Sequence, residues 1–194
     1  MVFEKICGNN INMKNFLTLI LVSASIISTS AQKHFTKTGH IWFYSHAPLE
    51  DITAHNYQVT SVIDVSSGEM AYKVTMSAYQ FEKALMQQHF NEKYVESDKF
   101  PESTFKGKIT EPESIDLSKD GKYKAEVEGE LTIHGVTKPV KADGTISVKD
   151  GKISAQSLFQ IAVADYDIKI PAAVRDNIAK VIDIHVDIAY EPMK

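Results

Sequence analysis

The chain has 194 residues, 43% of them hydrophobic and 24% charged, with a formal net charge of −4. That is the composition of an ordinary globular protein, and it excludes disordered and collagen-like chains. Net negative charge with dispersed Lys and Arg also argues against nucleic acid, which selects clustered basic residues that displace counterions.

In chain order, the first signal is a leader. Met13-Lys14-Asn15 is a short basic start. Phe16 to Ile27 is apolar except for Thr18, Ser23 and Ser25, and Ser28-Thr29-Ser30-Ala31 supplies small residues before Gln32. Basic start, apolar middle and small-residue end make a secretory signal, with cleavage expected after Ala31. The apolar run is shorter than the ~20 residues of a membrane span. Residues 1–12 read either as an extended leader or as the product of an upstream start codon. The expected mature chain is one domain, residues 32–194, periplasmic or secreted and not an integral membrane protein. The only cysteine, Cys7, leaves with the leader, so no disulfide, thiolate zinc site or cysteine nucleophile is expected.

Beyond the leader the dominant period is two. Weak strands fit His40–Ser45 and Tyr57–Val65, and Ser66-Ser67-Gly68-Glu69 signals a turn. Tyr72, Val74 and Met76 alternate with Lys73 and Thr75. Phe81, Leu85, Met86, His89 and Phe90 then fall at helical spacing, predicting a helix between Gln80 and Tyr94. A strand fits Thr104–Thr110. Lys119-Asp120-Gly121-Lys122 and Lys149-Asp150-Gly151-Lys152 each carry the Asp-Gly hairpin signal. Tyr123 to Ile133 alternates apolar residues with Lys124, Glu126, Glu128 and Glu130, the pattern of a half-buried strand. His134 to Pro139 joins it to the alternating segment Val140–Val148. Further strands fit Ile153–Val163 and Ile182–Tyr190, with a short helical turn at Ala172–Ala179 after Pro171. A meander of about eight strands closes into a barrel or folds into a sandwich to remove its edges.

Candidate chemistry is sparse. Asp183, His185 and Asp187 share one strand face and could hold a metal, with His40, His46 and His55 in principle joining them. The plainer reading is the polar outer face of the last strand. Glu126, Glu128 and Glu130 likewise read as a solvated exterior. There is no G-x-S-x-G elbow and no phosphate-cradling or dinucleotide glycine motif. Phe81, Met86 and Phe90 read either as a lid over a ligand or as an ordinary helix-to-core face. Alternation permits a cavity or a filled core equally.

Two segments say more. Ser97-Asp98-Lys99-Phe100-Pro101-Glu102-Ser103-Thr104-Phe105-Lys106-Gly107 and Gly129-Glu130-Leu131-Thr132-Ile133-His134-Gly135-Val136-Thr137-Lys138-Pro139-Val140 resemble the F-P-x-x-x-F and G-x-L-T-I-H-G-V-T-K-P-V signatures of the YceI-like family. The resemblance covers essentially the whole mature chain. One departure is Ile41-Trp42-Phe43-Tyr44, which stands where the family commonly carries S-x-V-x-F-x-V. The resemblance implies a mainly β fold, an eight-stranded antiparallel lipocalin-like barrel with one helix near its mouth and a short second helical turn. It implies a polyisoprenoid, isoprenoid quinone or fatty-acid-like lipid held inside for transport, storage or stress protection. No catalytic residue, metal or other cofactor is implied, and a homodimer is left open.

Under this reading the inward residues Phe43, Tyr72, Val74, Phe105, Val127 and Leu131 line the site. Phe159 and Ile184 join them, with Phe81, Met86 and Phe90 at the mouth. His134 is expected to hydrogen-bond neighbouring backbone rather than ligand, with Gly135 free to adopt positive φ. The alternatives are a secreted structural or stress-response β protein with a filled core and a metal-dependent or hydrolytic enzyme.

Overall fold

Alternating apolar and polar residues become strands that show one face to the interior and one to solvent. The structure, a computed structural model, describes residues 33–193, so the leader expected at residues 1–31 lies outside the described residues. The strands are β1 (Lys33–His46), β2 (Asp51–Asp64), β3 (Glu69–Thr75), β4 (Gln80–Phe81), β5 (Glu102–Ile109), β6 (Gly121–Ile133), β7 (Val136–Lys149), β8 (Lys152–Ala162) and β9 (Val181–Pro192). All but β4 form an antiparallel meander, and β1 pairs with both β2 and β9. The result is a closed eight-stranded barrel, in which β7 and β8 pair only from Gly144 with Ser157 to Lys149 with Lys152. β4 is a spur paired to β2 through His55 and Ala54.

The tight turns follow from backbone chemistry. At both the β6–β7 and β7–β8 hairpins the two turn residues take positive φ: His134 51° and Gly135 76°, Asp150 50° and Gly151 71°. That is the two-residue turn whose twist suits a hairpin. The Asp-Gly signal at Lys119–Lys122 does not make one. β5 ends at Ile109 and β6 starts at Gly121, with a 3-10 turn at Pro112–Ser114 between them. The Asp120 carboxylate instead accepts the Asp150 N–H at 3.0 Å, tying this connection to the neighbouring hairpin.

The helix also begins later than its periodicity suggests. Gln80 and Phe81 find strand partners on β2, so α1 covers only Ala84–His89 and passes into a wide π turn at Phe90–Tyr94. Leu85, placed inward by helical spacing, is 61% exposed. The second helical turn is shorter than expected, a 3-10 turn at Ala172–Val174. Beyond it the Ala179 N–H donates to the buried Ser45 hydroxyl. No helix among the described residues is long and apolar enough to cross a membrane.

In an up-and-down meander, connections fall alternately at two ends. One end carries the β2–β3 turn, the β5–β6 connection and the β7–β8 hairpin. There the barrel is packed solid by Ile63, Ile109 and Ile188, all essentially buried, with Val148, Ile153 and Ile115 around them. The opposite end carries the β1–β2 turn, the segment from Met76 to Pro101 with α1, the β6–β7 hairpin and the long β8–β9 connection. The functional features concentrate there.

Candidate functional site: a two-chambered apolar barrel interior

The inward side chains do not fill the barrel. An inner chamber of about 140 Å3 is walled by Tyr72, Val74, Phe105, Val127, Leu131 and Phe159. An outer chamber of about 310 Å3 has Phe43, Phe81, Met86 and Phe90 in its walls. Met76, Tyr79, Ile133 and Ile184 line both, so the two spaces adjoin. Single ligand pockets run from about 300 to 1,000 Å3, apolar with a few placed polar groups. The residues that alternation put inside thus stand on these walls. Met76, Tyr79 and Ile133 were missed, as were Ile168, Ile170, Val174 and Ile178 of the β8–β9 connection. Ile168 and Ile170 carried a signal in their spacing. Tyr79 carried none, because it follows a 3-10 turn, Met76–Ala78, that breaks the strand period.

A polar floor separates the inner chamber from the packed end. The Tyr72 and Tyr190 hydroxyls lie 3.1 Å apart, and Tyr190 meets the Ser61 hydroxyl at 2.9 Å. These buried groups satisfy one another, as buried polar atoms must. Tyr79 differs. It is 6% exposed and held between Phe43 and Phe90, with ring centroids at 5.5 and 5.4 Å. Burial alone pushes its phenol well above the usual range, and its hydroxyl has no hydrogen-bond partner among the described residues.

The mouth is braced at two points. On one side Glu50 of the β1–β2 turn pairs with Lys83 at 2.8 Å, and the Leu49 N–H donates to the Asp176 carbonyl. On the other, His134 lies 3.1 Å from the Tyr166 carbonyl through Nδ1 and 3.0 Å from Glu96 through Nε2. Both partners are acceptors, so the two bonds form together when both ring nitrogens carry a proton. His134 therefore bonds backbone, as the sequence reading expected, but at a connection distant in sequence, and it bonds a carboxylate besides. The Phe100 ring packs edge-on against it at 4.6 Å. A Cβ on Gly135 would sit 2.6 Å from that ring, so the motif glycine is required by contact as well as by φ.

Two outcomes follow. His134→Ala should cost about 2 kcal/mol, since it removes a donor from the Tyr166 carbonyl and one of the two partners of the Glu96 carboxylate. Calorimetry would register this as a fall of about 4–8 °C in Tm. The second is a pH effect. Glu96 is held below its ordinary value of 4.5, first by its hydrogen bond to Lys99 and then by that to His134. A depressed carboxyl stabilises the fold above its unfolded pKa, and the gain is lost as pH falls through the folded one. Between about pH 5 and pH 3 the native protein should therefore lose more stability than Glu96→Gln. Melting curves of the two proteins across that range would check it.

The outer histidines form a ladder rather than a metal site. His40 Nε2 and His55 Nδ1 lie 3.0 Å apart. His40 stacks on Tyr57 and Trp42, and Trp42 stacks on His185 at 4.7 Å. Burial and then the neighbouring His55 lower the His40 pKa, against a smaller opposite pull from Asp187. His46 instead pairs with Asp51, while Asp183 and Asp187 accept from Gln160 and Gln156. Among the described residues no three His, Cys, Asp or Glu side chains converge as a metal site. Glu126 and Glu128 face outward and share Lys141.

The fold resembles solved structures at low sequence identity. A polyisoprenoid binding domain from Saccharophagus degradans, implicated in plant cell wall breakdown, aligns with a TM-score of 0.73 at 14% identity, over 84% of this chain and 99% of that one. Burkholderia cenocepacia BcnA aligns at 0.65 and 13% identity, over 79% and 96%. The Campylobacter jejuni YCEI protein aligns at 0.55 and 20% identity, over 77% and 89%. No curated protein matches. Residues 25–190 match the YceI-like domain family, so both motifs fall within the match and the chain belongs to that family.

Proposed function

We propose that this chain is an exported lipid-binding protein that holds a polyisoprenoid, isoprenoid quinone or fatty-acid-like molecule inside its barrel, for transport, storage or stress protection. The observation that carries this reading is the pair of adjoining apolar chambers, the outer of which lies at the braced end. Buried apolar area releases ~25 cal/mol per Å2 on leaving water. An apolar chain laid through both chambers therefore binds without a charged anchor. The similarity in fold to the polyisoprenoid binding domain of Saccharophagus degradans supports the ligand class. The leader pattern of residues 13–31 supports export.

The test is organic extraction of protein purified from its native host, followed by mass spectrometry. A stoichiometric lipid is expected. Protein that carries none, and takes up none from lipid mixtures, overturns the reading.

A further inference from the structure

The charges and polar atoms around the two chambers restrict what the head of such a lipid can be. The inner chamber has no Asp, Glu, His, Lys or Arg in its wall, and the outer chamber has only Glu50 and His89 of these. Neither chamber has a Lys or Arg in its wall among the described residues. A phosphate or carboxylate drawn down to the junction of the chambers would lose its hydration with no Lys or Arg in the wall to replace it. Such a burial costs several kcal/mol. At the mouth the nearby Lys83 is already taken up by Glu50.

Several polar groups of the walls are already engaged. Tyr72 is bonded to Tyr190, the Ser103 hydroxyl donates to the Thr132 carbonyl, and Ser45 accepts from Ala179. Asn177 donates to Glu50. Tyr79 is not engaged, and it differs from Tyr94 of the outer wall, also unbonded among the described residues, in being buried and not half-exposed. It is buried, fixed between two aromatic rings and unpartnered, and it stands where the chambers join. Its hydroxyl oxygen keeps accessible surface on the chamber space, where a ligand oxygen can accept the bond that the protein leaves open.

We propose that the Tyr79 hydroxyl donates a hydrogen bond to an uncharged carbonyl of a neutral lipid, whose apolar chain fills the inner chamber. The inference rests on the lipid-binding reading above and narrows it. Carbonyl-bearing neutral lipids such as prenyl esters and quinones are favoured over prenyl phosphates and ionised fatty acids.

The test uses three probes with one chain and three heads: farnesyl acetate, farnesyl diphosphate and the hydrocarbon farnesene. Each is titrated by calorimetry into the native protein and into Tyr79→Phe. The native protein should bind farnesyl acetate about five- to tenfold more tightly than farnesene, the range a neutral hydrogen bond provides. Farnesyl diphosphate should bind most weakly. Tyr79→Phe should erase the advantage of the acetate and leave farnesene unchanged. The inference is overturned if the diphosphate binds as tightly as the acetate, or if Tyr79→Phe alters all three probes equally or none. Farnesene binding with no advantage for the acetate sinks the anchor alone. Failure of all three probes to bind removes the lipid-binding reading along with it.

Discussion

Gly129→Ala is expected to destabilise the barrel by about 3 kcal/mol, at the upper end of the cost of overpacking, and to lower Tm by about 6–12 °C. Gly107 and Gly129 are register partners on β5 and β6, one from each of the two motif segments. The Phe105 ring lies across this glycine pair. A Cβ on Gly129 would stand 2.5 Å from the Gly107 Cα and 2.7 Å from the Phe105 ring, and closer still to the Lys106 carbonyl. Two of these three obstacles are backbone held in a ladder, and neither can move without breaking strand hydrogen bonds. In a strand without such neighbours, the same change would gain roughly 0.5–1 kcal/mol by restricting the unfolded chain. The sign of the effect is thus diagnostic. Gly121→Ala is the control, because its Cβ would meet only the Tyr123 ring at 3.3 Å, and it should change stability by less than about 0.5 kcal/mol. A Gly129→Ala protein that melts with the native one would overturn this account, because the β5 backbone as well as the Phe105 ring would have to give way.

That glycine pair also marks where sequence reading succeeds. Alternation identified the strands and their inward faces because a half-buried strand must repeat with period two. Tyr123 to Ile133 is the clearest case, with Ala125 and Leu131 buried and Glu126 and Glu130 outside. The features that went wrong are those where a distant partner outweighs local preference. Gln80-Phe81 leaves the helix because β2 offers it hydrogen bonds. Asp120-Gly121 forgoes its hairpin because Asp120 caps the next one. His134 carries two roles that no local pattern separates. It adopts positive φ in a hairpin, and it reaches Glu96 and Tyr166, residues distant in sequence.

The site was legible in part for the same reason. Inward residues on regular strands, such as Val74, Val127 and Leu131, could be read from spacing, and they stand on the chamber walls. The emptiness between them could not, since an apolar side chain facing a void and one facing a neighbour have the same period. Tyr79 was illegible because it follows a 3-10 turn, where alternation carries no information. What distinguishes it is a missing partner, and only three-dimensional packing shows one to be missing.

The emptiness itself can be tested by filling it. Ala142 on β7 is the register partner of Val127, and both line the inner chamber. Ala142→Phe should place a ring in that space. If the chamber is truly open, occupying about half of its 140 Å3 recovers on the order of 1–2 kcal/mol at ~24 cal/mol per Å3 of cavity removed, so Tm should hold or rise by a few degrees. Ligand should suffer in the opposite direction. A lipid segment excluded from the inner chamber leaves on the order of 100 Å2 of apolar surface in water, ~2.5 kcal/mol, which weakens binding by about 70-fold. Stability and function therefore part company at this one residue. A core already filled would answer differently, because the added ring would then overpack it and cost about 1–3 kcal/mol. Melting temperature and farnesene affinity, measured on the same Ala142→Phe protein, separate a barrel built to hold a lipid from one built only to be stable.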